Sequence, residues 1–307
     1  MFHVIGIHVF SAIHNIWFII KIDKNITHIF TLIYLDEQIS MLPYTIAASC
    51  KAGQKKDGAQ CGPAVVKSSY DDVINPEYFD DGTGYQLLYD SVHSQMTKDE
   101  LRRLIVIGGD HSIAVGSVGA LNDHYVKKGK KLYVIWIDAH ADINTYESSS
   151  THSTHGMPVA FLLGLCEQKL VKIETHLTPD QIIYIGLRDL DPPEWKFLED
   201  LGIKYYTMTH VKESGIDVIM TEIKEYVKDN EVHISLDIDG IDPIFTSATG
   251  TPVKDGLNLK DVLSVIKMWP KLQMKSMDVV EFNPLIGTDA EVKKTLTTIN
   301  ECIYAFL

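Results

Sequence analysis

The sequence predicts an α/β protein, a three-layer α/β/α sandwich with a mostly parallel central sheet. Three observations carry this. Short apolar runs, such as Val134, Ile135, Trp136 and Ile137, read as strands covered on both faces. Stretches with apolar residues at helical spacing separate these runs, and that alternation argues right-handed crossovers between parallel strands. Aspartates and histidines gather just after three of the runs, at the carboxyl edge where open α/β sheets place their ligands.

In chain order, residues 44–49 form the first predicted strand, and a glycine-rich loop from Gly53 to Gly58 follows. A short helix begins at Ala64, and residues 70–84 read as polar loop. Residues 85–103 read as a helix with Leu87, Leu88, Val92 and Met96 on one stripe. Strand 104–107 runs into Gly108, Gly109, Asp110 and His111, and Ser112 caps a helix to about residue 126. Strand 134–137 leads into Asp138, His140 and Asp142, then a polar loop at 146–154 precedes an apolar helix at 159–166. A strand at 182–187, a short helix at 195–201 and a strand at 203–206 follow. The helix at 215–228 carries Ile216, Ile219, Ile223 and Val227 on one face, and strand 232–236 ends in Asp237 and Asp239. A helix at 258–269, a strand at 276–280 ending at Glu281, and a last helix from Asp289 complete a single domain over residues 43–307.

A formal net charge of -13 argues against a nucleic-acid surface. Cys50, Cys61, Cys166 and Cys302 form no C-x-x-C pair, which excludes zinc ribbons and thioredoxin-like motifs. They are expected to be reduced thiols of a cytoplasmic protein. No phosphate-cradling glycine loop is present. Residues 1–42 form an atypical leader, apolar but interrupted by His3, His8, His14 and Asn15. With no basic region before the apolar run it makes a poor signal peptide. Membrane association through residues 1–20 and disorder both stay open.

His111, Asp138, His140, Asp142, Asp237 and Asp239 together supply two imidazoles and four carboxylates. An extended chain puts Asp138, His140 and Asp142 on one face, and likewise Asp237 and Asp239. Four negative charges balance two divalent cations; without them, repulsion raises carboxylate pKa values. The donors suit Mn²⁺, with Fe²⁺, Co²⁺ or Zn²⁺ open as well. Two such ions roughly 3.5–4 Å apart turn a water into a nucleophile at neutral pH. Glu281, at another strand end, repels an anionic phosphate and matches a guanidinium in planar, bidentate fashion.

Gly-Gly-Asp-His at 108–111, Asp-Ala-His-Ala-Asp at 138–142 and Ser-Leu-Asp-Ile-Asp-Gly-Ile-Asp-Pro at 235–243 resemble the signatures of the ureohydrolase superfamily. Gly-Leu-Arg-Asp-Leu-Asp-Pro at 186–192, Ala-Thr-Gly-Thr-Pro at 248–252 and Met-Asp-Val-Val-Glu-Phe-Asn-Pro at 277–284 are similar specifically to arginases. The resemblance implies hydrolysis of L-arginine to L-ornithine and urea by a hydroxide bridging two Mn²⁺, in a homo-oligomer, a trimer. By match, His111, Asp138, Asp142 and Asp237 hold one or both ions, and His140 and Asp239 complete the second. Glu281 would hold the guanidinium, Asp142 carry a proton to the departing amine, and His155 shuttle protons. Asn144 and Thr151 match contacts to the α-carboxylate and Asp191 matches the α-amine contact; Glu194 and Thr251 match other pocket residues. The chain departs from the family at Thr151-His152-Ser153, where arginases commonly read Ser-Gly-Asn; Ser153 is shorter than asparagine and loosens the carboxylate grip. Two alternatives are an agmatinase-like or other guanidino-compound hydrolase and a non-catalytic regulator on the same scaffold. Asp191, a partner for an α-ammonium, argues against the first. The complete ligand set argues against the second.

Overall fold

The structure is a computed structural model that describes residues 42–307 and, before them, only the backbone of two short strands. These are β1 (His8–Ala12) and β2 (Ile16–Ile20), an antiparallel pair with Phe10 opposite Phe18. The rest of the leader, with the membrane association or disorder considered for it, lies outside the described residues. The chain divides into two compact units, Met1–Pro43 and Tyr44–Leu307. No helix among the described residues is long and apolar enough to cross a membrane.

The second unit is built on eight parallel strands: β3 (Tyr44–Ala48), β4 (Asp72–Ile74), β5 (Leu104–Gly108), β6 (Leu132–Ile137), β7 (Ile182–Leu187), β8 (Lys204–Thr207), β9 (Glu231–Asp237) and β10 (Met274–Val280). Their spatial order is β4-β3-β5-β10-β9-β6-β7-β8. The two strands latest in sequence therefore slot between β5 and β6. Four adjacent central strands, β5, β10, β9 and β6, end at one edge, and that edge carries the site.

Ten helices accompany the sheet among the described residues: α1 (Gly62–Val66), α2 (Pro76–Asp80), α3 (Gly84–Lys98), α4 (Ala114–Lys127), α5 (Pro158–Leu162), α6 (Pro192–Leu201), α7 (Met208–Ser214), α8 (Ile216–Val227), α9 (Leu259–Lys267) and α10 (Asp289–Phe306). Successive strand side chains point to opposite layers. Leu104, Val106, Val134, Trp136, Ile182 and Tyr184 pack with α3 to α6 on one face. Ile105, Ile107, Ile135, Ile137, Ile183 and Ile185 pack with α7 to α10 on the other. Each such side chain, fully buried, contributes about 1.5–3 kcal/mol relative to exposure. The near-continuous apolar strands are thus the consequence of being covered twice.

Several predicted boundaries shift. The polar stretch 70–84 holds β4 and α2, yet β4 has three residues, too few for a period-two signal, and its Val73 is exposed. The helix predicted to 103 stops at Lys98, because the Asp99 carboxylate accepts from the backbone N–H of Leu101 and Arg102 and turns the chain. The helix at 159–166 is α5 alone, ended by Gly164 in the left-handed region at φ 72. Helix α6 starts three residues earlier than predicted, capped by Asp191 in a reciprocal box with Glu194. Helix α7 was not predicted; only Met208 and Val211 are buried on it, too few to show a period.

Candidate active site

Each strand end delivers its side chain through a specific local device. After β5, the Asp110 carboxylate accepts from Ser112 N at 3.0 Å and opens the turn that presents His111. Gly109 carries no side chain because a Cβ there would lie 1.8 Å from the Cys50 carbonyl oxygen. After β9, Asp239 N–H donates to Asp237 Oδ1 at 2.7 Å within the turn Ile238–Gly240, and a Cβ on Gly240 would meet Asp138 N at 2.8 Å. After β10, Glu281 N–H donates to the Gly109 carbonyl at 2.7 Å with the Glu281 backbone at φ 67.

The expected extended run from Asp138 to Asp142 is not what the structure adopts. The strand stops at Ile137, and Asp142 sits in the left-handed region at φ 53. The side chains still converge, by a turn and not by strand alternation. Asp138 belongs to two groups of potential ligands: His111, Asp138 and Asp142 form one, and Asp138, His140 and Asp239 the other. Asp237 joins neither group, but its Oδ2 lies 3.3 Å from His111 Nδ1. Asp142, His152 and Glu281 all hold positive φ without being glycine, so part of the strained backbone of the chain is concentrated here. The His152 ring stacks on Tyr146.

The cluster has the donors to hold cations. His111 Nε2 pairs with Ser235 Oγ at 2.9 Å, which leaves Nδ1 facing Asp138, Asp142 and Asp237 oxygens at 3.1, 3.2 and 3.3 Å. Nδ1 is buried without a hydrogen-bond partner. With Nε2 directed at Ser235, Nδ1 presents to the three carboxylate oxygens either a proton or a lone pair that shares a metal ion with them. Burial, then Asp138, pushes the Asp142 carboxyl up to about 6. Burial and neighbouring aspartates likewise raise Asp237 and Asp239. Burial also works to raise Asp138, but His111 and His140 outweigh it and hold this carboxyl well below its usual range. Burial opposes a charge on His111, yet the three carboxylates hold its pKa well above normal. Buried imidazole and carboxylate donors of this composition fit divalent first-row ions.

The cluster floors a cavity of about 140 Å³. The structure brings the sequence-predicted substrate residues Asn144, Thr151, Ser153, Asp191, Glu194 and Thr251 to its wall, together with His155 and Glu281. His111 and Asp138 are not among its lining residues. Thr251 Oγ1 donates to Asp239 Oδ2 at 2.7 Å. Burial, ahead of other causes, raises the Glu194 carboxyl to about 7. Glu281 is 3% exposed. Burial works to raise its pKa, but His155, His111 N–H and Gln54 outweigh this and hold it below the usual range.

A family model described as the arginase family matches residues 57–306. This chain belongs to the arginase family. Arginase-1 of Bos taurus is 35% identical, over 82% of this chain and 88% of its own. The arginase of Saccharomyces cerevisiae is 37% identical, over 80% and 75%. Among solved structures, the arginase from Bacillus subtilis superposes with a TM-score of 0.78 at 30% identity, covering 87% of this chain and 98% of that one. The Entamoeba histolytica arginase, solved in complex with L-ornithine, gives 0.74 at 30%, covering 87% and 99%. Arginase-family membership agrees with the expected α/β/α sandwich and makes the chain a hydrolase.

Gln54 and Arg188 carry no predicted role in the sequence, and Ser149 lies in a hydroxyl-rich loop, 148–151, of the kind that binds a carboxylate or is simply solvated. Gln54 Nε2 donates to Glu281 Oε2 at 2.9 Å. Ser149 lines the cavity beside Thr151. The Arg188 guanidinium donates to five backbone carbonyls, those of Gly186, Asp239, Gly240, Val253 and Lys254, and so ties the end of β7 to two loops. Gln54 had one available signal, its place in a glycine-rich loop just after a strand. Arg188 had none beyond its motif.

Proposed function

We propose that this chain hydrolyses L-arginine to L-ornithine and urea at two Mn²⁺, which His111, Asp138, Asp142 and Asp237 would hold, with His140 and Asp239 completing the second site. What carries the reading is a cluster of mutually facing imidazole and carboxylate groups set beside a buried carboxylate, Glu281, in one cavity. The two ions would supply water activated for attack at neutral pH. Glu281 binds the guanidinium through its two oxygens and turns the central carbon toward the cluster. Asp142 takes a proton at its carboxylate and gives it to the departing amine. His155, half-buried on the cavity wall, passes protons between the site and solvent. Asn144, Thr151 and Ser153 would hold the α-carboxylate, with Asp191 on the α-ammonium and Glu194 and Thr251 completing the wall.

Mn²⁺-dependent urea release from L-arginine by the stripped and reloaded chain is the test. Two bound ions without urea would move the assignment to another guanidino substrate. Fewer than one bound ion per chain would favour a non-catalytic regulator. One observation favours a second reading, an agmatinase-like hydrolase: Asn144 Nδ2 already donates to Asp191 Oδ2 at 3.2 Å, so the two groups meant for the amino-acid end engage each other. Faster turnover of agmatine than of arginine would decide for it. The four unpaired cysteines support a cytoplasmic setting. Assembly as a homotrimer rests on family likeness.

A further inference from the structure

We propose that Gln54 is a positioning residue for the guanidinium-binding carboxylate: its Nε2–H fixes one oxygen of Glu281 so that a single carboxylate edge faces the cavity. This rests on the functional reading above and goes beyond it by assigning the group that aims Glu281.

The argument is one of lone pairs. Gln54 Nε2 donates to Glu281 Oε2 at 2.9 Å, and the backbone N–H of His111 donates to Oε1, also at 2.9 Å. A carboxylate offers about four lone-pair sites. One site on each oxygen is occupied by these donors. The remaining pair lies along one edge and accepts two parallel N–H groups from a planar guanidinium. His155 Nδ1 stands 3.7 Å from Oε1, beyond hydrogen-bond range, so it supplies charge and not orientation. The His111 N–H belongs to a metal-ligand turn and cannot be tuned separately. Gln54 is the adjustable half of the clamp.

The loop carrying Gln54 is held across the carboxyl edge at four points. Gly53 N–H donates to Asp110 Oδ2 at 2.9 Å, and the Gly53 carbonyl accepts from His155 N at 3.1 Å. Lys56 Nζ donates to the Gly250 carbonyl, and Asn283 Nδ2 donates to the Asp57 carbonyl at 2.9 Å. Gln54 lies between the first and third anchors. A Cβ on Gly250 would be 3.3 Å from Gln54 Oε1 and 3.8 Å from Glu281 Oε2, so the amide is confined between Gly250 and the carboxylate it serves.

The test compares Mn²⁺-loaded wild type, Gln54→Met and Gln54→Ala. Methionine keeps the length of the side chain and removes the donor; alanine removes both. Four quantities are measured: kcat and KM for urea release from L-arginine, the inhibition constant of free guanidinium ion, manganese per chain, and the thermal midpoint. Glu281 engages guanidinium in ground and transition states alike, so its misalignment acts on KM. Both variants should raise KM and the guanidinium inhibition constant together by roughly 10–100-fold, the range for a hydrogen bond to a charged group. Manganese, midpoint and kcat should stay close to wild type. A Gln54→Met enzyme that matches wild type overturns the proposal, whatever alanine does. Loss of manganese or of cooperative unfolding in both variants also overturns it, because Gln54 would then support the loop and not the carboxylate. No urea from wild type sinks the functional reading together with this one; an active wild type beside unaffected variants sinks the positioning role alone.

Discussion

Glu281→Gln is the substitution that bears hardest on the proposed chemistry. The change conserves shape and removes one charge and one acceptor. In the native site both oxygens accept from donors at 2.9 Å, Oε2 from Gln54 and Oε1 from His111 N–H. The His111 N–H is fixed backbone, so the new amide must turn its oxygen there and its NH₂ toward Gln54, whose own amide can flip to accept it. The cavity edge then offers one oxygen lone pair and one N–H. That N–H meets a guanidinium N–H, donor against donor. Two charge-assisted hydrogen bonds at about 1.5–3 kcal/mol each are lost or weakened, roughly 3–6 kcal/mol in all. In kcat/KM for L-arginine this is about 10²–10⁴-fold. The assay is steady-state urea release with manganese content measured on the same samples. A variant that keeps its manganese and stays within tenfold of wild type would refute the assignment of Glu281 to the guanidinium.

Three further outcomes are expected. Asp142→Asn removes a metal-facing oxygen 3.2 Å from His111 Nδ1 and the proposed proton carrier, so turnover should fall by about 10²–10⁴-fold with weakened manganese retention, read by urea release and metal analysis. The metal-free chain should be more stable at pH 5 than at pH 7: the folded Asp142 carboxyl, pushed up to about 6 from 3.8, binds its proton more tightly than the unfolded one. Asp142 contributes about 1 kcal/mol of this at 1.36 kcal/mol per unit, and that share disappears once Mn²⁺ holds the carboxylate ionised; Glu194, raised from 4.5 to about 7, adds a gain of the same sign that Mn²⁺ leaves in place, so urea melts at the two pH values should show a smaller difference with metal than without. Arg188→Lys replaces a fork bonded to five carbonyls by an ammonium with three donors, so at least two bonds go and about 1–3 kcal/mol of stability with them, measured by denaturant unfolding.

The sheet was legible because strands buried on both faces have no polar face to disguise them. β6 and β7 read directly as apolar runs, whereas β4 did not, since an edge strand of three residues needs no such pattern. The candidate ligands were legible because each follows a strand, but the reason given for their convergence was wrong in detail. The 138–142 segment leaves the extended conformation, and it is the left-handed Asp142 that brings its oxygen to His111. Gln54 and Arg188 stayed hidden for a different reason. Their partners are a side chain 227 positions away and a set of backbone carbonyls, neither of which leaves a local pattern.

The insertion of β9 and β10 between β5 and β6 bears on how the sheet closes. The first 230 residues contain the strands of two three-stranded half-sheets, β4-β3-β5 and β6-β7-β8, and lack the pair that joins them. Each ends in an unpaired, apolar inner edge of the kind that recruits other chains. His111 follows a strand of one half and Asp138 a strand of the other, and β10 and β9 lie between them. Bringing His111 to Asp138 therefore requires the sheet to close, through contacts distant in sequence of the kind that slow folding.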